Sequence, residues 1–186
     1  MIKKANKQNI ENISKLIYDA IHEVANSLTG ENEEHKILKT LDYYIQMDVC
    51  RLSYNNIYTY EIDNKNVAIL LAYNSNDVEK LDKPMIEHLK TKNIFLKSFE
   101  KECFKDEFYI DTVSVSPSFQ GRGIAKELFS FAEHKAKELD FKKLSLLVDF
   151  ENQKAKALYE RLGFKDNEIL KVSGSNFYHM IKQLDL

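Results

Sequence analysis

The sequence predicts an α/β domain built on one mixed sheet, with elements in the order βααββ(α)βαβαββ. Three observations carry that prediction. Apolar residues recur at helical spacing in some stretches and as short β-rich runs in others, the pattern of helices interleaved with strands. The run Phe-Tyr-Ile-Asp-Thr-Val-Ser-Val at 108–115 passes Pro117 and enters Gln120-Gly121-Arg122-Gly123-Ile124-Ala125, a strand ended by a proline and turned by glycines into a helix. The length of 186 residues, with 44% hydrophobic and 30% charged composition, is ordinary for one globular domain with a substantial core.

Residues 2–5 form a short candidate strand. Over residues 7–26, Ile10, Ile13, Leu16, Ile17, Ala20, Ile21 and Val24 repeat at helical spacing, with Asn6 as the expected N-cap and Thr29-Gly30 as the stop. The acidic run at 31–34 opens a second helix, where negative charge suits the positive end; its apolar face is Ile37, Leu38, Leu41, Tyr44 and Ile45. Residues 57–62 and 67–73 read as strands joined by Asp63-Asn64-Lys65-Asn66. The charged stretch 74–107 contains Pro84. Met85, Ile86 and Leu89, then Ile94, Phe95 and Phe99, fall near helical spacing, so one or two helices are expected in place of a long bare loop. After Gly123, the residues Ile124, Leu128, Phe131, Ala132 and Leu139 share a helical face. Residues 144–148 read as a strand, 152–162 as a short helix stopped by Gly163, and 168–172 with 176–184 as a closing hairpin around Ser173-Gly174-Ser175. No repeat or linker divides the chain, so residues 1–186 are read as a single domain with a helical insertion over 75–107.

A net charge of -2 argues against a broad nucleic-acid footprint. Cys50 and Cys103 are too few for a disulfide framework or a zinc site and read as reduced structural thiols. His22, His35, His88, His134 and His179 show no ligand spacing, so no metal is expected. The first residues lack the apolar core of a signal peptide, and no apolar run approaches membrane-spanning length; a cytoplasmic protein with no membrane partner is expected. Abundant Lys, Asn and Ile match an AT-rich bacterial genome.

The strand-to-helix junction at 115–125 leaves backbone N–H groups free, and free amides at a helix start attract anions, phosphate above all. There is no G-x-x-x-x-G-K-[ST] string, which excludes a P-loop. The Rossmann fingerprint lacks its third glycine, since Gly123 is followed by Ile124-Ala125-Lys126. A simple tight turn before a helix is the other reading of this stretch. Alternation along the strand is out of step. Tyr109, Asp111, Val113 and Val115 share one parity, with Phe108 and Ile110 on the other, which sets a carboxylate among apolar neighbours. A β-bulge between Ile110 and Val113 resolves the conflict, and bulges are common beside active sites.

Gln120-x-x-Gly123-x-Ala125 matches the Gln/Arg-x-x-Gly-x-Gly/Ala signature of the GNAT superfamily of acyl-CoA-dependent N-acyltransferases. Residues 152–164, Asn-Gln-Lys-Ala-Lys-Ala-Leu-Tyr-Glu-Arg-Leu-Gly-Phe, resemble that family's second signature, Asn-x-x-Ala-x-x-Leu-Tyr-x-x-x-Gly-Phe. The 74–107 stretch departs from the minimal family pattern.

The resemblance implies a mixed, mostly antiparallel sheet splayed in the middle, with helices on both faces. It implies acetyl-CoA as co-substrate: the amides of Gly121, Arg122, Gly123, Ile124 and Ala125 hold the pyrophosphate behind Gln120, and Arg122 and Lys126 add charge. Pantetheine lies along Val113, Ser114 and Val115, and Asn152 and Ala155 orient the CoA arm.

Acyl transfer from a thioester to an amine needs a deprotonated amine, a polarised carbonyl, a stabilised oxyanion and a proton for the leaving thiolate. The backbone N–H near Val113 is the natural polariser. The resemblance places Tyr159 beside the sulfur as general acid. Tyr159 also shares a helical face with Ala155, Leu158 and Leu162, so packing is its other open role. Asp111 is the candidate base, or the group that orders a base water or holds the substrate ammonium; a surface aspartate is the alternative. For Asn152 the alternative is a helix cap. The run 31–34 could attract a cationic substrate, though a solvated helix start explains it, and Tyr43, Tyr44, Tyr58, Tyr60 and Tyr73 could line an acceptor pocket.

The expected function is therefore acetyl transfer from acetyl-CoA to a primary amine of a small molecule, by direct attack in a ternary complex. No cysteine lies near either motif to form an acyl-enzyme. The alternatives are a protein acceptor, through an N-terminal amine or a lysine, and a non-catalytic acyl-CoA-binding regulator that keeps the nest without needing Asp111 or Tyr159. A homodimer is a family-level expectation.

Overall fold

Seven strands form one sheet in the order β1-β2-β3-β4-β5-β7-β6, in a computed structural model that describes residues 1–185. The strands are β1 (Ile2–Lys4), β2 (Ile57–Ile62), β3 (Lys65–Asn74), β4 (Phe108–Val115), β5 (Lys143–Asp149), β6 (Lys165–Val172) and β7 (Ser175–Gln183). All neighbours pair antiparallel except β4 and β5. The helices are α1 (Ile13–Ile21), α2 (Val24–Thr29), α3 (Glu34–Gln46), α4 (Val78–Thr91), α5 (Ile124–Glu138) and α6 (Gln153–Arg161).

Residues 67–73 of β3 are buried throughout, because helices cover both faces of the sheet. Alternate side chains feed two cores. Ile69 and Leu71 join Ile17, Leu41, Tyr44 and Met85 under α1, α3 and α4. Leu70 joins Ile110, Leu128, Ala132, Leu146 and Met180 under α5. The β2–β3 turn has Asp63 and Asn64 at φ +50° and +59°, a conformation Asp and Asn tolerate, and one that matches the twist of a hairpin.

Two expectations need correction. The helix expected over 7–26 is broken in two: Asn12 and His22 have φ +66° and +42°, α1 begins only at Ile13, and Asn6 accepts the Gln8 amide at 2.9 Å in a turn without capping a helix. Side chains win over helix bonds here. Asn12 donates to the Asn66 carbonyl at 3.1 Å, and Asn66 donates to the Glu11 carbonyl at 3.0 Å.

The second holds in part: of the one or two helices expected in the insertion, α4 forms. Residues 92–107 are irregular, with Phe95 76% exposed, and Ile94, Phe95 and Phe99 form no helix. Long-range ties replace helical bonds. Glu102 accepts from Arg51 Nη1 and from the Tyr109 hydroxyl, each at 2.9 Å. Glu100 bonds the Ser173 amide. Glu107 takes the Phe104 amide at 3.0 Å and meets His179 Nε2 at 3.1 Å. Asn167 Nδ2 lies 3.2 Å from His179 Nδ1, so Nδ1 accepts and Nε2–H donates to Glu107. Pro84 cannot donate to the Lys80 carbonyl, and the adjacent Leu81 carbonyl accepts the Arg51 amide at 2.9 Å.

Burial works against ionisation of Glu107, but His179, the Phe104 amide and Ser145 hold it below its ordinary 4.5. A lowered carboxylate adds stability above that ordinary value, and the stability is lost as pH falls through the lower folded value. Glu107→Gln is expected to cost about 1–3 kcal/mol at pH 7, with the difference from wild type shrinking at acid pH, as measured by urea unfolding at pH 7 and pH 3.

Candidate active site

β4 and β5 pair only from Phe108–Leu144 to Ile110–Leu146, and then the sheet splits. The split begins at a bulge. Leu71 pairs with Thr112 and Ala72 with Ile110, which leaves Asp111 as the extra residue. Such an insertion bends and twists its strand. It also repairs the parity, turning Ile110, Val113 and Val115 toward the α5 core and Tyr109 toward the other.

Beyond the bulge, the Ser116 amide donates to the Val67 carbonyl at 2.8 Å. Backbone groups alternate sides along an antiparallel strand, so those of Thr112 and Ser114 are spent on β3 and those of Val113 and Val115 point into the split. Ser114, expected beside pantetheine, pairs with Ile69 of β3, with its backbone groups turned to that strand. Gln120 Nε2 donates to the Val115 carbonyl at 3.0 Å; its side chain ties the strand end to the turn. The amide and carbonyl of Val113 remain directed into the split.

At the end of the split stands α5. Gly121 and Gly123 have φ +75° and +82°, and a Cβ on either would meet nothing within 4 Å. The first helical bond runs from the Glu127 amide to the Gly123 carbonyl at 3.2 Å, so the amides of residues 121–126, including Ile124 and Ala125, lie ahead of it. Bare glycines, open space and free amides make a cradle that fits a diphosphate. Arg122 is exposed and folds back along the turn. Its Nη2 donates to the Ser118 carbonyl at 3.1 Å and the guanidinium lies 4.9 Å over the Phe119 ring. Lys126 lines a cleft of about 230 Å³ with Arg161 and Lys182, between α5 and the end of α6.

The helix α6 starts on Asn152, whose Oδ1 accepts the Ala155 amide at 3.1 Å. The capping role is therefore present, and its side-chain N–H₂ stays available for a second one. Asn152→Ala is expected to cost ~1 kcal/mol; Asn152→Asp keeps the cap, so its thermal midpoint is expected to match wild type while calorimetry shows weaker coenzyme A binding. Ala155 and Tyr159 lie on the face of α6 packed against the second core. The Tyr159 ring is 5.3 Å from Phe129 and 6.2 Å from Phe164. Burial alone raises its phenol above the ordinary 10, so the hydroxyl is protonated at neutral pH, the state a proton donor needs.

Asp111 is not a surface aspartate; its side chain is 10% exposed. It accepts from the Tyr73 hydroxyl at 2.7 Å and the Thr112 hydroxyl at 2.9 Å. Burial first raises its pKa above the ordinary carboxylate value, Arg51 opposes the rise and Glu102 adds to it. A raised carboxyl is a better base near neutral pH.

Sequence reasoning passed over Arg51, Asp82 and Glu102, which surround Asp111. One signal was available: Asp82 shares the buried face of α4 with Met85 and Leu89, an odd place for a carboxylate. Of the five tyrosines offered for an acceptor pocket, Tyr73 alone bonds Asp111. Tyr58 lies tilted against Phe131 of α5, Tyr60 reaches Glu127, Tyr44 bonds the Leu28 carbonyl, and Tyr43 is exposed beside His88. Glu31 and Glu33 pair with Lys92 and Lys36. Among the described residues, no group of three or more His, Cys, Asp or Glu could hold a metal ion, and no helix is long and apolar enough to cross a membrane.

Comparison with known proteins agrees with this fold. A crystal structure described as an acetyltransferase superposes with a TM-score of 0.80 at 29% identity, covering 100% of both chains. An N-acetyltransferase from Staphylococcus aureus Mu50 gives 0.81 at 25% identity, over 97% of this chain and 99% of that one. A putative [ribosomal protein bS18]-alanine N-acetyltransferase of Bacillus subtilis (strain 168) is 32% identical over 73 residues, 39% of this chain and 46% of that protein. The chain spans about half or less of the length of the curated relatives it matches. The family model described as Acetyltransferase (GNAT) family matches residues 19–164. The chain therefore belongs to the GNAT family of acetyltransferases, with its mixed seven-stranded sheet split between β4 and β5.

Proposed function

We propose that the chain, acting as one catalytic unit, transfers the acetyl group of acetyl-CoA to a primary amine of a small molecule, in the cytoplasm and by direct attack in a ternary complex. The observation that carries this reading is the Val113 backbone, directed into the split beside the Gly121–Gly123 cradle. The amides of residues 121–126 hold the diphosphate. The Val113 carbonyl and amide pair with the pantetheine arm as a missing strand would, with the amide polarising the thioester carbonyl.

The acceptor comes from the Asp111 side. Its ammonium gives a proton to the Asp111 carboxylate, and the freed nitrogen lone pair attacks the carbonyl carbon. A tetrahedral oxyanion forms, held by the fixed backbone N–H. The C–S bond breaks as it collapses and Tyr159 protonates the departing thiolate; the attacking nitrogen loses its second proton as the amide forms, and that proton restores the Tyr159 hydroxyl.

The segment 92–107 favours a small acceptor. It crosses the Asp111 face and is fastened to Arg51, to β4 through Tyr109, and to β7 through His179, where an extended peptide would need room. A protein N-terminus is the second reading, favoured by the bS18-alanine relative.

The test is thiol release from acetyl-CoA with a panel of amines and alanine-terminated peptides, and products identified by mass. Turnover with small amines and none with peptides is expected. Turnover confined to peptides overturns the acceptor assignment, and coenzyme A binding without turnover on any acceptor leaves the regulator.

A further inference from the structure

Arg51 lies ahead of β2 and is 3% exposed, so its guanidinium must find counter-charges inside the protein. It meets three carboxylates. Glu102 is 2.9 Å from Nη1, and Asp82 and Asp111 are 3.0 Å and 3.7 Å from Nε. The Phe99 ring covers the guanidinium at 5.7 Å. One positive charge facing three negative ones in a dry site leaves negative charge in excess, and such a site holds protons more tightly than water does. Asp82 is pushed up to about 6, by burial first, against the pull of Arg51 and with help from Glu102 and Asp111. Asp82 and Glu102 both belong to the insertion, while Asp111 is the extra residue of the bulge where the sheet divides.

We propose that Arg51, Asp82 and Glu102 are positioning residues for acyl transfer: the insertion brings two carboxylates behind Asp111, and with Arg51 they decide whether Asp111 is ready to take the acceptor's proton. This rests on the reading of Asp111 as the base. The step balances without a further reactant, since the proton moves from the ammonium nitrogen to a carboxylate oxygen and leaves to solvent after the product departs.

The titratable groups facing Asp111 are Arg51 and Cys50 ahead of β2, Asp82 on α4, Glu102 and Cys103 in the 92–107 segment, Tyr73 on β3 and Tyr109 on β4. Burial pushes both thiols up to about 12 and raises both phenols well above 10. Neither the thiols nor the phenols therefore change charge at neutral pH, which leaves Asp82 and Asp111, both raised.

The test is carboxyl ¹³C NMR of aspartate-labelled protein, with Asp111 assigned through Asp111→Asn. Glu102→Gln keeps the shape and removes a charge; Asp82→Asn does the same from another element, in case the first variant folds poorly. Each is expected to move the Asp111 midpoint downward by about half a pH unit or more, roughly a threefold loss of proton affinity. Arg51→Gln is expected to move it upward. The acid limb of kcat/KM is expected to move in the same direction in each variant. A midpoint unmoved in both carboxylate variants overturns the proposal. So does a midpoint that moves while the acid limb stays, and that outcome leaves acetyl transfer itself standing. Failure to acetylate any amine, with the midpoints moving as stated, overturns the proposed function and not the charge coupling.

Discussion

Tyr159→Phe is expected to lower kcat by about 10²–10⁴-fold, the range of a lost general acid, while leaving coenzyme A affinity within about twofold and the thermal midpoint near wild type. The ring fills the space between Phe129 and Phe164, and phenylalanine keeps that packing. What is lost is one hydroxyl, held protonated by burial. Because the missing proton belongs to the leaving thiolate, an acyl donor with a more acidic thiol should need it less. The deficit is therefore expected to shrink with an acetyl aryl thioester. A purely structural tyrosine would show unchanged kcat and no dependence on the leaving group. Steady-state rates with both donors, beside calorimetric binding of coenzyme A, separate the two.

Gly123→Val is expected to weaken coenzyme A binding by more than about 100-fold, or ~2.7 kcal/mol. Two effects combine. At φ +82° a β-branched residue is strained, and its side chain would stand in the open space where a diphosphate must approach the amides. Gly174 supplies the control. It has φ +86°, with nothing within 4 Å of a Cβ, but lies in the β6–β7 turn. Gly174→Val is expected to show the strain as lost thermal stability, with coenzyme A affinity unchanged. Equal loss of affinity in both variants would mean that the glycines serve the backbone alone.

The parts of this molecule that local chemistry decides could be read before the structure. The proline-ended strand and the glycine turn are local, and the bulge was visible because Asp111 broke an alternation that Val113 and Val115 otherwise keep. The face of α5 was legible only in part, since Ile124, Leu128 and Ala132 are buried while Leu139 is exposed and Phe129 and Ala136 complete the face. The hairpin connection was read over Asp63–Asn66 from turn-forming residues; the turn itself is Asp63–Asn64, and Lys65 and Asn66 already belong to β3. What stayed hidden is set by partners distant in sequence. The break at Asn12 depends on Asn66, and the irregular course of 92–107 on Arg51, Ser173 and His179. Helical spacing at Ile94, Phe95 and Phe99 misled, since side-chain bonds to other elements outweighed a weak local preference. Arg51 itself follows Cys50 in no periodic pattern. Its three carboxylates converge only when α4, the following segment and the bulge are brought together.

A crystal structure with coenzyme A bound is the most direct measurement. The expected result has the diphosphate oxygens accepting from the amides of residues 121–126, the pantetheine amide paired with the backbone of Val113, and the sulfur within hydrogen-bond reach of the Tyr159 hydroxyl. A diphosphate held elsewhere on the surface, with the space between Val113 and β5 left free of ligand, would contradict it.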